Sequence, residues 1–315
     1  MKVSWLTQFT QYLLKTERRM YMAALIATLL PWPLSFLAPM WIGLVTYCKG
    51  IKTGLVTLAW VALPAIAFLV LRKVGVFDAL LLRAVLLWVL MVCWMRIGRY
   101  VPILLGLSGL GVLGVLGVHW MVPDVPAFWM DRFHQLIPTQ TWIHALHVSA
   151  GDFTHMLATL APIATGFLLG LMVVGAFLQL LLARIWACSL GRRKNMHAEW
   201  RAEMLNLHMP FWFGVIACVS SGLTLWRPEW LWLRDCMPVV AVPLVFNALS
   251  LLHNMAAHRK QGVYILSVAY VCLFLFTYWM AIALAILGVV DSFVHIRKRL
   301  GWSVNAQTKK TAEKK

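Results

Sequence analysis

The chain has 315 residues, 62% of them hydrophobic and 12% charged, with 28 lysines and arginines against 11 aspartates and glutamates and a formal net charge of +17. Together with a mean hydropathy of +0.79, this excludes an ordinary water-soluble fold, which could not hide so much apolar surface in one core. The basic residues cluster beside apolar stretches rather than along one face interleaved with aromatics, which excludes a nucleic-acid footprint and fits basic loops held beside anionic lipid headgroups.

The expected class is all-α, a polytopic transmembrane helix bundle of about 8 to 10 spans opening on a proline-broken hairpin. Residues 1–19 read as a cytoplasmic interfacial segment, with Trp5, Phe9, Tyr12 and Leu13 on one helical face and Lys2, Lys15, Arg18 and Arg19 nearby. Residues 20–296 read as the transmembrane bundle. Its opening, 20–48, is interrupted by Pro31, Pro33 and Pro39, which predicts two short helices or a re-entrant hairpin. Spans are predicted over 54–71, 77–95 and 100–122. A mostly polar, acidic loop follows over 123–156, then a span over 157–182 and a basic loop over 184–207. Further spans are predicted over 208–226 and 236–257. The last apolar stretch, 263–293, exceeds one untilted crossing and reads either as two passes or as a single tilted helix. The basic tail is 297–315.

Lysines and arginines near span ends stay on the cytoplasmic side. The 123–156 segment carries Asp124, Asp131 and Asp152 against Arg132 alone, so it is expected outside. The clusters Arg96 and Arg99, Arg184 to Arg201, and Arg259 with Lys260 are expected inside. Gly106, Gly109, Gly114 and Gly117 share an arc of about 140°, and Gly166-x-x-x-Gly170 repeats the small-residue spacing. Both patterns predict close helix approach. The six cysteines have no Cys-x-x-Cys spacing and read as small apolar filler. His144, His147, Asp152 and His155 lie close together, yet lack a His-Glu-x-x-His core. No metal, no cofactor and no catalytic residue is expected.

Ionisable and amide groups in lipid are costly, so each is a functional candidate. Asn247, Ser250, Asn254 and His258 recur at helical spacing and form a polar stripe, which either borders a ligand cavity or joins helices by hydrogen bonds. Pro238 and Pro243 bend the same helix. Asp291 and His295 stand one turn apart at a membrane end, as a proton relay or as an anchor. Asp78 and Arg83 are about 140° apart and do not form a pair on one face.

In the second half, Ala183-Arg184-Ile185-Trp186-Ala187, Glu199-Trp200 and Leu205-Asn206-Leu207, with Gly288-Val-Val-Asp291-Ser-Phe293 before Arg297-Lys298-Arg299 and with His253 in the preceding apolar segment, resemble the YybS-like bacterial multi-pass membrane proteins. The residues carrying this likeness are Arg184, Trp186, His253, Gly288, Asp291 and Arg297. The resemblance covers about residues 180–300 and implies a multi-pass protein of a bacterial inner membrane. More remotely, the family is similar to the substrate-binding subunits of energy-coupling-factor transporters, whose first helix uses an Ala-x-x-x-Ala contact that Ala23 and Ala27 mimic. The expected role is non-enzymatic: binding or transport of a small solute, or else a membrane scaffold recruiting cytoplasmic or envelope-assembly partners. The expected partners are a bilayer with anionic lipids, a small-molecule solute and a membrane-protein partner, with no nucleic acid.

Overall fold

The structure, a computed structural model, describes residues 5–30, 34–70, 76–137, 149–190 and 196–300. Among these residues the regular elements are helices, with no strand. In chain order they are α1 (Trp5–Leu14), α2 (Glu17–Leu29), α3 (Leu37–Lys49), α4 (Ile51–Val70), α5 (Val76–Ile97), α6 (Tyr100–Met121), α7 (Val125–Leu136), α8 (Ala150–Leu160), α9 (Ala164–Ser189), α10 (Met196–Leu205), α11 (Phe211–Trp226), α12 (Leu231–His258), α13 (Gly262–Leu275), α14 (Thr277–Val294) and α15 (Ile296–Arg299).

Among the described residues five helical stretches are long and apolar enough to cross a membrane: Leu80–Ile97, Tyr100–Met121, Ala150–Ser189, Leu231–His258 and Thr277–Val294. Shorter apolar helices cover Leu34–Lys49, Ile51–Pro64, Phe211–Trp226 and Gly262–Leu275. The architecture is that of a helical membrane protein. The apolar stretch over 263–293 divides at Phe276 (φ −121°, ψ 46°) into α13 and α14. No proline marks that break, so hydropathy alone did not reveal it.

The chain divides into two compact units. Met1–Ile103 and Gly175–Met204 form the first, Leu104–Val174 and Leu205–Lys315 the second. In the first, α3 packs against α4 and α5, and α2 against α3 and α4. Met20, Ala24, Ala38, Trp41, Ile42, Leu44, Val45 and Val61 are buried together, with Ala23 and Ala27 packed against them. The indole Nε1 of Trp41 donates to the Met20 carbonyl at 3.0 Å, tying α3 to α2. Gly50 turns the chain between α3 and α4 with φ +100°, a conformation that favours glycine. Arg83 of α5 places its guanidinium over the Phe36 ring at 4.8 Å, while the side chain of Asp78 lies outside the described residues.

In the second unit α12 is the hub, packing most extensively on α14 and also on α11 and α13. Two entries into helix are capped by side chains. Asp124 accepts from the Ala127 N–H at 2.9 Å, starting α7. Ser149 accepts from the Asp152 N–H at 3.1 Å, and its hydroxyl donates back to the Asp152 carboxylate at 2.7 Å, starting α8. Such caps satisfy N–H groups that the first helical turn leaves without partners. The expected small-residue contact is present at Gly166 and Gly170, which meet the backbone of α12 at Asp235 and Pro238. On α6, by contrast, Gly106, Gly109 and Gly117 face open space, while Gly111 meets Val173 and Val239 and Gly114 meets Leu169. The packed face of α6 is therefore rotated from the one its glycine spacing suggests.

Candidate functional site

Among the described residues charge is buried in three places. The first gathers several of the residues singled out from sequence. α14 ends at His295, a non-glycine residue in the left-handed conformation (φ 52°, ψ 54°), and its N–H donates to the Asp291 carbonyl at 3.0 Å. This turn lets the Ile296 N–H donate to Asp291 Oδ1 at 3.1 Å and sends Arg297 back into the protein. There Arg297 Nη1 donates to the Leu207 carbonyl at 2.6 Å. Its Nη2 donates to the Asn247 carbonyl at 3.0 Å and to Asn247 Oδ1 at 3.3 Å, and lies 3.5 Å from Asp291 Oδ2. Asn247 Nδ2 donates to the Gly288 carbonyl at 2.9 Å, which also accepts from the Ser292 hydroxyl at 2.9 Å.

Glycine makes this meeting of α12 and α14 possible. A Cβ on Gly288 would stand 2.1 Å from the Leu244 carbonyl oxygen. His208, in the turn before α11, brings Nε2 to 3.1 Å from the Asp291 carbonyl, which makes Nε2 the donor. The same nitrogen is 4.0 Å from Asp291 Oδ2, and the ring lies 4.5 Å from that of His295. Burial pulls the His208 imidazole below the usual histidine range; Asp291 opposes this, and the neighbouring His295 and Arg297 add to it. Burial also pulls the Arg297 guanidinium down, opposed by Asp291. Asp291 is fully buried, so it depends on Arg297 as its counter-ion.

Of the polar stripe, Asn247 belongs to this cluster. About two turns along α12, Asn254 Nδ2 donates to the carbonyl of Leu205 at 3.0 Å. Leu205 ends α10, where a helix leaves carbonyls without intrahelical partners. Ser250 is buried, and His258 Nδ1 lies 2.8 Å from the Asn254 carbonyl. Asn247, Asn254 and His258 of the stripe thus contact main chain. Asp291 and His295 are near in sequence, yet the carboxylate turns to Arg297 and Ile296 while the His295 Nδ1 lies 3.4 Å from the Phe293 carbonyl. His253 meets Tyr270 of α13, Nε2 to hydroxyl 2.8 Å.

The second locus escaped the sequence reading. Asp235, near the start of α12, has no exposed surface. Its Oδ1 accepts from the Gly166 N–H of α9 at 2.7 Å, and its Oδ2 lies 3.0 Å from His119 Nε2 of α6. The glycine again permits the approach, since a Cβ on Gly166 would stand 1.6 Å from the Asp235 carbonyl oxygen. Nearby, Trp129 Nε1 donates to the Thr165 hydroxyl at 2.8 Å. Asp235 carries no motif, and its partners are separated from it by 69 and 116 positions. Only its charge inside an apolar stretch could have drawn attention to it.

The third locus lies in the first unit. Arg184, 4% exposed, lies with its guanidinium 3.4 Å from the Trp94 ring centroid. Its Nη1 donates to the Tyr100 hydroxyl and, at 2.7 Å, to the Glu203 carboxylate. Trp186 lies two residues on, and its Nε1 donates to the Thr10 hydroxyl at 3.1 Å, holding α1 against α9.

Among the described residues no three histidine, cysteine or acidic side chains gather as a metal site. His144, His147 and the basic turn 192–194 lie outside those residues, as does the tail beyond 300; Asp152 and His155 are exposed on α8. All six cysteines are free thiols. Compared with known proteins, the chain matches no family model, no curated protein and no solved structure.

Proposed function

We propose that this chain is a multi-pass protein of a bacterial inner membrane with a transporter-like, small-solute-binding role and no enzymatic one. The observation that carries this reading is Asp235, a fully buried carboxylate held by His119 and the Gly166 N–H inside stretches long enough to span a bilayer. An acid at such a site is costly and belongs where ions or polar solutes are handled. Gly166 and Gly170 let α9 meet α12 there, and Pro238 and Pro243 inside α12 favour a helix that bends as it works. The resemblance of short motifs in the second half to the YybS-like proteins is in keeping with the same reading, and about 8 to 10 crossings are expected when each of the shorter apolar helices crosses on its own beside the five long stretches.

The test uses the full chain in lipid vesicles, combining thermal-shift screening against a metabolite library with uptake of the solutes that give a shift. A stabilising solute whose effect and uptake are lost in Asp235→Asn, while that variant stays folded, supports the proposal. No shift and no uptake across the library rejects it.

A second reading, a membrane scaffold recruiting cytoplasmic or envelope-assembly partners, is favoured by a different observation: the Nδ2 groups of Asn247 and Asn254 donate to main-chain carbonyls, so these donors are not offered to a ligand. Crosslinking through the basic loop 184–207 tests it, because neutralising that loop's lysines and arginines other than the buried Arg184 removes partners from a scaffold and leaves a transporter's uptake intact.

A further inference from the structure

A shallow groove of about 380 Å³ in the first unit is lined by Gln11, Leu14, Lys15, Lys49 and Leu190. Its wall is fixed in place. Gln11 Nε2 donates to the Leu190 carbonyl at 3.2 Å, Trp186 holds Thr10, and Leu14 and Leu190 are buried. The groove therefore has an apolar floor and a mouth carrying two exposed lysines. Among the described residues neither lysine pairs with a carboxylate. Two positive charges lining one groove make its mouth favourable to an anion.

The other side of α1 presents Trp5, Phe9 and Tyr12 to the surroundings, each close to half exposed or more, with the Trp5 and Phe9 rings stacked at 5.6 Å. Arg19 lies over the Tyr12 ring at 4.1 Å. An aromatic stripe flanked by cations is what a helix lying at the headgroup level offers to lipid. From the groove and this stripe together, we propose that Lys15 and Lys49 bind a phosphate group, as carried by an anionic phospholipid headgroup or by free phosphate. The apolar floor and the neighbouring stripe suit an amphiphile. Ammonium groups bind phosphate as point charges.

The experiment uses the full chain purified in mild detergent, exposed to phosphatidylglycerol or phosphatidylcholine, with bound lipid counted by native mass spectrometry and inorganic phosphate added as a competitor. Phosphatidylglycerol retention should exceed that of phosphatidylcholine, falling about fivefold for each of Lys15→Gln and Lys49→Gln. The charge-keeping variant with both lysines changed to arginine should retain it. Lysine-dependent binding of inorganic phosphate without lipid preference also supports the site and names free phosphate as the ligand. Equal retention of both lipids by the wild type and the single glutamine variants, with no lysine-dependent phosphate binding, overturns the proposal. The single changes are on exposed side chains, so the measurement does not depend on a variant that fails to fold.

Discussion

Among the described residues two arginines are buried, Arg184 in the first unit and Arg297 in the second, and they are neutralised differently. Arg184 rests on an aromatic face, with Trp94 beneath it and the Tyr100 hydroxyl and the partly exposed Glu203 at its edge. Arg297 is bound chiefly by main chain and amide, through the carbonyls of Leu207 and Asn247 and the Asn247 side chain, with Asp291 beyond. The first arrangement is assembled from side chains. The second depends on backbone geometry, a glycine at 288 and a left-handed residue at 295, and so tolerates less. Buried cations need partners in either case, but the partners decide how the site fails.

The largest effect is expected where a charge would be stranded. Arg297→Met leaves Asp291 fully buried without its counter-ion and should destabilise the protein by about 3–5 kcal/mol, measured by denaturant or thermal unfolding in bicelles. Adding Asp291→Asn to the same chain should recover much of that loss. If the double variant is no more stable than the single one, Asp291 is not the partner that Arg297 serves.

Next comes Gly288→Ala, whose methyl would meet the Leu244 carbonyl oxygen at 2.1 Å. A loss of about 1–3 kcal/mol is expected from the forced separation of α12 and α14. Gly117→Ala, with open space around it, serves as the control in the same assay and should lack this penalty.

In the first unit, Tyr100→Phe removes one hydrogen bond from Arg184 and leaves Glu203 and Trp94 in place. About 1–2 kcal/mol of destabilisation is expected, smaller than at Arg297. Equal losses at Tyr100 and Arg297 would erase the contrast between the two sites.

The smallest effect concerns pH. The folded state holds His208 below the ordinary histidine value, so the unfolded chain takes up the proton first as pH falls. Stability is fully present above the unfolded-state value of about 6.5 and declines as pH drops from there toward the depressed folded value. A melting curve taken between neutral and mildly acidic pH should show this decline, and His208→Asn should flatten it. An unchanged slope in that variant would assign the acid sensitivity to another group.

Much of the outline was legible from the residues. The apolar runs predicted over 77–95, 100–122 and 236–257 overlap α5, α6 and α12, because a span must satisfy its own main chain and so writes its length directly into composition. Candidate residues were partly legible too: Asn247, Asn254, Asp291 and Arg297 stand out as polar or charged groups in or beside apolar stretches. Their partners were not. Leu205, Leu207 and Gly288 contribute carbonyl oxygens, which every residue possesses and no side-chain pattern advertises. His208 and His119 reach acids that are distant in sequence, so spacing could not connect them. The break at Phe276 shows the same limit, since no proline or glycine announces it.

Composition and the arrangement of apolar and basic runs thus determined the medium of this protein and its helical class, because hydrocarbon imposes a length and a polarity that a local stretch must meet by itself. Which polar groups meet was decided by tertiary structure alone. The turn at His295 and the close approaches at Gly166 and Gly288 bring carboxylates, guanidinium groups and carbonyls together from separate helices, and that meeting depends on how the helices pack rather than on any one stretch of sequence.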